Sequence, residues 1–195
     1  MPSIINSDDG QTSGSAGLKF TSGDDGVMKI QNNGVDAMTV SAAGVTTFAS
    51  QPVVPVPLFK AIPTANQNIT SGVWTKVTLD NVLYDTNSYF DGTTNYRYTP
   101  QIPGYYQFHG YIRNNSSGLT TVAIDIYKNG SSGQEYRAIF STPSAVGTTV
   151  TSVMYMNGST DYVELYGYIT GTSPYFHYVL DSSSSFFEGF LVRAA

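Results

Sequence analysis

The chain has 195 residues and a formal net charge of −5, and only 12% of its residues are charged, against roughly 25% in an ordinary soluble domain. Its 41% hydrophobic content with 15 Tyr and 10 Phe excludes a disordered chain. No apolar run approaches the ~18 residues of a membrane-spanning helix, and no basic cluster offers itself to nucleic acid. With no Cys, disulfides and thiolate metal sites are excluded.

The first 50 residues are predicted to form a separate arm. Phe20 and Phe48 are its aromatics, and Lys19 and Lys29 stand against Asp8, Asp9, Asp24, Asp25 and Asp36. The opening Met1-Pro2-Ser3-Ile4-Ile5-Asn6 has neither a basic end nor an apolar run, so no secretory signal peptide is expected. Four short strands are predicted at Leu18–Phe20, Val27–Ile30, Ala37–Val40 and Val45–Phe48. The turn signals Asp24-Asp25-Gly26, Asn32-Asn33-Gly34 and Ala43-Gly44 separate them. Strands this short, with so few large side chains, bury too little surface to stand alone. They need further copies of the chain or another protein.

Residues 51–56 are read as a stiff connector. In Gln51-Pro52-Val53-Val54-Pro55-Val56-Pro57 the spaced prolines hold the backbone extended and remove ladder donors.

Residues 57–195 alternate apolar and polar side chains in run after run. Strands are predicted at Trp74–Leu79, Tyr105–Ile112, Thr121–Tyr127, Thr148–Met156 and Tyr162–Ile169, with turns at Lys128-Asn129-Gly130 and Asn157-Gly158. No window holds a helical period. Many short strands at regular spacing predict an all-β sandwich or barrel. Two strands are apolar or aromatic on both faces. Tyr106, Phe108 and Ile112 alternate with Tyr105, His109 and Tyr111, and Val163, Leu165 and Ile169 alternate with Tyr162, Tyr166 and Tyr168. One face of each is expected in the core. The other, left in water, makes a larger aromatic patch than a soluble monomer carries, so Tyr105, His109, Tyr111, Tyr162, Tyr166 and Tyr168 are assigned to a subunit interface.

The run from Tyr98 through Gly104 to Tyr106 and Phe108 resembles the hallmark of the complement-one-q globular head, an aromatic six residues before G-x-Y-x-F. Tyr84-Asp85-Thr86, Ile126–Gly130, Asp161–Leu165 and Ser185–Val192 resemble further family segments in the right order. The resemblance covers about residues 57–195. It implies a jelly roll of the tumour-necrosis-factor type assembled as a homotrimer. Trp74, Tyr98, Tyr106, Phe108, Phe187 and Phe190 are then core or motif residues, with Gly104 and Gly189 among them; Gly104 is expected to allow a sharp turn into its strand. Where the family has a further aromatic, this chain has Gly110. The arm resembles the leaders of bacteriophage fibre and head-decoration proteins, in the segments Gly17–Gly34 and Ala37–Phe48.

Enzymatic signatures are missing: there is no G-x-S-x-G elbow and no HExxH. His109 and His177 are expected to be structural or interfacial, and Glu164 and Glu188 solvated or interfacial; with Glu135 these are all the glutamates. Asp80, Asp85 and Asp91 stand near Asn81, Asn87 and Asn95, but without calcium-loop spacing. No metal and no cofactor is expected. The sequons at Asn68, Asn115, Asn129 and Asn157 carry no weight without secretion. Two functions of different class fit. One is a structural trimer on a virion surface, made in the bacterial cytoplasm, with the arm held by a major capsid or tail protein. The other is a receptor-binding head recognising a host-surface glycan or protein. A host-reaching fibre is expected to carry a longer shaft than 50 residues, which favours the first.

Overall fold

The computed structural model describes residues 27–32, 35–49, 56–114, 116–140, 147–179 and 185–195, with the side chains of 32, 133–137 and 140 left out. The expected strand at Leu18–Phe20, the Asp24–Gly26 turn, most of the Asn32–Gly34 turn, nearly all of the connector, Asn115 and the Glu135 side chain lie outside the described residues. The chain divides into two units, Met1–Val54 and Pro55–Ala195.

In the first unit, β1 (Met28–Asn32), β2 (Val35–Val40) and β3 (Thr46–Phe48) form an antiparallel meander with β2 in the middle. The Ala43-Gly44 turn closes because Gly44 takes φ +78° and its N–H donates to the Ser41 carbonyl at 2.8 Å.

The second unit is a jelly-roll sandwich of two antiparallel sheets. Its strands are β4 (Leu58–Ile62), β5 (Gln67–Asn68), β6 (Thr75–Lys76), β7 (Asn81–Asp85), β8 (Phe90–Asp91), β9 (Arg97–Tyr98), β10 (Gly104–Arg113), β11 (Ser117–Lys128), β12 (Ser131–Phe140), β13 (Gly147–Met156), β14 (Val163–Thr172), β15 (Tyr175–Phe176) and β16 (Phe186–Ala194). One sheet runs β13-β10-β16-β4-β7. The other runs β12-β11-β14-β9-β8, with β6 also on β14, and β15 pairs with β5 apart from both. The β11–β12 hairpin turns on Asn129 and Gly130 at φ 54° and 73°, the two left-handed residues a tight hairpin with the strands' own twist requires. The strand expected at Trp74–Leu79 shortens to β6. Val77 and Leu79 still drop into the core, but beyond the Val77 N–H bond to the Leu165 carbonyl the chain leaves the sheet.

Between the sheets lies an aromatic core. Phe59, Tyr98, Tyr106, Phe108 and Phe187 are fully buried. Phe59 meets Phe187 edge-on at 5.3 Å and Tyr106 stacks on Phe108 at 6.0 Å. Gly104 acts differently from the turn its motif suggests. It takes no left-handed φ, and a Cβ there would strike the Arg193 carbonyl oxygen and come 2.9 Å from Ala194 Cα. It lets β10 and the end of β16 approach closely. At Gly110 the space of the missing aromatic is filled from the facing sheet, because a Cβ would run into Leu165 Cδ1 and lie 3.4 Å from Ile124 Cδ1.

Candidate functional site

Alternation along β10 and β16 turns a second row of side chains out of the five-stranded sheet. On β10 it is Tyr105, Gln107, His109 and Tyr111; on β16 it is Phe186, Glu188 and Phe190. The register sets Tyr105 beside Tyr155, His109 between Thr151 and Glu188, and Gln107 between Val153 and Phe190. The face is apolar at one end, where Tyr105 is 49% and Phe190 44% exposed and Val153, Tyr155, Val192 and Tyr84 are exposed with them. Tyr105 and Tyr155 meet edge-on at 5.5 Å. At the other end Tyr111 and Phe186 pack at 5.7 Å.

A polar chain crosses the middle. Lys60 Nζ donates to Glu188 Oε2 at 2.8 Å, His109 Nδ1 stands 3.1 Å from Glu188 Oε1, and His109 Nε2 stands 2.7 Å from Thr149 Oγ1. The Lys60 ammonium also lies 4.2 Å over the Phe186 ring. Partial burial pushes the Glu188 carboxyl up, but the hydrogen bonds from Lys60 and His109 outweigh it and hold the group below the usual carboxylate range. A groove of about 270 Å³ lies against this chain, lined by Leu58, Tyr84, Gln107, His109, Glu188 and Phe190.

Thr149, His109 and Glu188 stand in the order of a hydrolytic triad. The Thr149 hydroxyl donates to the Gly110 carbonyl at 3.0 Å, away from the imidazole. Strand β10 is paired on both sides, by β13 and β16, so its own amides are taken up in the ladders. Lys60 further neutralises the carboxylate. The arrangement supplies hydrogen bonds and a charge pair framed by rings, as an interface does.

The sequence-derived site residues separate here. Tyr105, His109 and Tyr111 share this face. Tyr166 and Tyr168, with Tyr162 just before them, do not join them, because β14 belongs to the six-stranded sheet and turns its tyrosines out of the opposite side of the sandwich. There the rings cover one another. Tyr166 stacks on Tyr127 at 3.8 Å, Trp74 lies 5.4 Å from Tyr168, and the Arg97 guanidinium sits 4.2 Å over Tyr162. The two sets therefore lie on two different faces of the sandwich. Trp74 is likewise half-buried in that outer cluster and not in the core. Phe190, expected in the core, points outward, because Phe187, Gly189 and Leu191 take the inward positions of β16. Glu164, expected solvated or interfacial, is buried and pairs with Lys76 at 2.6 Å. His177 lies past the Tyr111 end of β10, its backbone N–H bound to the Arg113 carbonyl. Asp91 accepts from the Thr93, Thr94 and Asn95 amides and the Asn95 side chain, so its oxygens close a turn. No group of three metal-ligating side chains occurs among the described residues.

Sequence reasoning missed Lys60, Thr149, Tyr155 and Phe186, which come from strands far apart in the chain. The signal for Phe186 and Phe190 was present: in Phe186–Leu191 the alternation sends one set of aromatics out when the other goes in.

No protein-family model and no curated protein matches the chain. Solved structures match its fold. The globular domain of zebrafish complement 1qA protein matches 71% of this chain and 99% of its own at 16% identity and a TM-score of 0.50. Murine APRIL matches 71% of this chain and 100% of its own at 11% identity and 0.52. Eiger TNF from S. frugiperda matches 72% of this chain and 93% of its own at 10% identity and 0.50. The second unit is therefore a jelly roll of the complement-one-q and tumour-necrosis-factor type.

Proposed function

We propose that the protein is a non-enzymatic structural component of a bacteriophage virion, a homotrimer displayed on the particle surface as cement, decoration spike or short fibre. The outer face of the five-stranded sheet is its subunit interface, and the amino-terminal arm joins it to a capsid or tail protein. The observation that carries the assembly is the uncovered run of Tyr105, Tyr155, Val153, Phe190 and Val192 on one sheet face. A patch of that kind marks an association site. The neighbours' fold is consistent with self-association, and the resemblance of the arm to phage leaders supports the virion setting. The Thr149–His109–Glu188–Lys60 chain, whose groups are hydrogen-bonded to one another and to the Gly110 carbonyl, supports a binding role over catalysis.

A second reading, recognition of a host-surface glycan, is favoured by the Trp74, Tyr127 and Tyr168 rings on the opposite sheet, which lie close together at the surface. Aromatic rings stack on the C–H faces of sugars.

Light scattering on the full chain tests the assembly. Three times 21.0 kDa is expected, and a 21.0 kDa species at micromolar concentration contradicts it. Electron microscopy of particles with a tag on the chain tests the setting: density standing on the head or tail surface is expected. Particles that never carry the tag refute the virion role.

A further inference from the structure

The described meander of the amino-terminal unit has two unlike faces. Its register sets Met28, Val40 and Thr46 in one row and Ile30, Met38 and Phe48 in the next. Five apolar side chains therefore share one face with a single hydroxyl. The opposite face carries Lys29, Thr39 and Thr47. A register shift after Ile30 leaves Ala37 as an extra residue, and beyond it Asp36 meets Lys29 at 2.7 Å and accepts from Gln31 Nε2 at 2.6 Å. Those bonds and the ordinary hydrogen bonds of hydroxyls to water complete the polar face. The apolar face is not complete: Ile30 stays 46% and Phe48 48% exposed, and Met28, Met38 and Val40 are only half-buried. A single small sheet with one apolar face needs a second layer.

We propose that this second layer is the same face of the other copies of the chain, so that the meanders of three chains pack Met28, Ile30, Met38, Val40 and Phe48 into a shared core. The assignment rests on the trimeric reading of the head. Three features select a second copy as the occupant. The face holds no charge, so identical faces meet without like-charge contact. Its Met28–Val40–Thr46 and Ile30–Met38–Phe48 rows offer one hydroxyl, Thr46, for hydrogen bonding, so a foreign partner finds little to recognise there, whereas copies of one apolar face suit one another. Each meander is tied to its own head by a few residues, and joining three heads raises the local concentration of the meanders into the millimolar range. With the apolar faces inward, the Lys29–Asp36–Gln31 face remains for the particle. The arm is then a stem as well as an anchor.

The chain has no cysteine, so a single introduced thiol reports cleanly. In the full-length chain, Met38→Cys places it at the centre of the apolar face, and Thr39→Cys, one residue on, places it on the polar face. Oxidation with diamide is followed on non-reducing gels, and light scattering reads the assembly of the same samples. Met38→Cys is expected to give a covalent dimer beside a left-over monomer, since two of three thiols pair, and to form it on the order of tenfold faster than Thr39→Cys. A trimer by light scattering in which Met38→Cys links no faster than Thr39→Cys overturns the proposal and leaves the head assembly standing. A monomer by light scattering removes the head assembly and the proposal with it. Ile30→Cys, in the same row, repeats the test where Met38→Cys disturbs the sheet, and equal linking at Ile30 and Thr39 in a trimer overturns the proposal in the same way.

Discussion

The rings of Phe59 and Tyr98 lie stacked, 4.1 Å apart between centroids and 16° from parallel, and they come from opposite sheets. Phe59 also touches Phe90, Phe108 and Phe187, so this pair closes the sandwich at its aromatic centre. Phe59→Ala or Tyr98→Ala is expected to cost about 3–5 kcal/mol, the loss of a fully buried ring plus the cavity left behind. Denaturant unfolding checks this, and a loss below about 1 kcal/mol would place the ring outside the core.

Two buried tyrosines should answer differently to removal of the hydroxyl alone. Tyr106 donates to the Ile102 carbonyl at 2.9 Å, whereas the Tyr98 hydroxyl finds no hydrogen-bond partner among the described residues. Burial raises both phenols, Tyr106 to about 12. Tyr106→Phe is expected to cost about 1 kcal/mol, and Tyr98→Phe to be neutral or stabilising, because an unmet polar group leaves the core. Equal losses from the two variants in the same unfolding experiment would contradict the assignment.

Gly189 lies where β16 passes beneath two rings. A Cβ there would sit 2.6 Å from Phe108 Cδ1 and 2.9 Å from the Gln107 carbonyl oxygen. The oxygen belongs to a paired strand and does not yield easily, so Gly189→Ala is expected to cost about 1–3 kcal/mol through overpacking. Thermal unfolding reads the loss.

Asp91 sets an acid dependence. Hydrogen bonds from the Thr94 and Thr93 amides hold its carboxyl far below the usual range, against a smaller opposing push from burial. A carboxyl depressed in the folded state contributes stability above its unfolded pKa and loses it as pH falls toward the folded one. The parent chain should therefore lose more stability than Asp91→Asn between about pH 5 and about pH 2. Parallel losses in denaturant melts across that range would remove Asp91 from the acid response.

Phe190 separates folding from assembly. Its ring is outside the core, so Phe190→Asp is expected to leave the β-sheet circular dichroism and the unfolding midpoint of the head nearly unchanged. Placed in the proposed interface, the same carboxylate is buried without a partner and should weaken association by about 3 kcal/mol or more. Light scattering at micromolar concentration then shows monomers, and an intact trimer would move the interface to another face.

The sequence by itself determined what is local. Alternation from Tyr105 to Ile112 and from Tyr162 to Ile169 specified which side chains share a strand face, because side chains alternate with a period of two. The Asn129-Gly130 pair specified a hairpin through its left-handed backbone. The motif from Tyr98 to Phe108 marked a buried aromatic set, and Tyr98, Tyr106 and Phe108 are all fully buried. Only the tertiary structure decided which strands lie side by side. It sent Tyr105 and Tyr166 to opposite sides of the sandwich, and it set Trp74 over Tyr168. It also brought Lys60 to Glu188 across 128 residues of chain and enclosed Glu164 against Lys76. Period two fixes a face along one strand but carries no information about its lateral neighbours, which follow from pairings between distant segments and from the competition of two faces for one core.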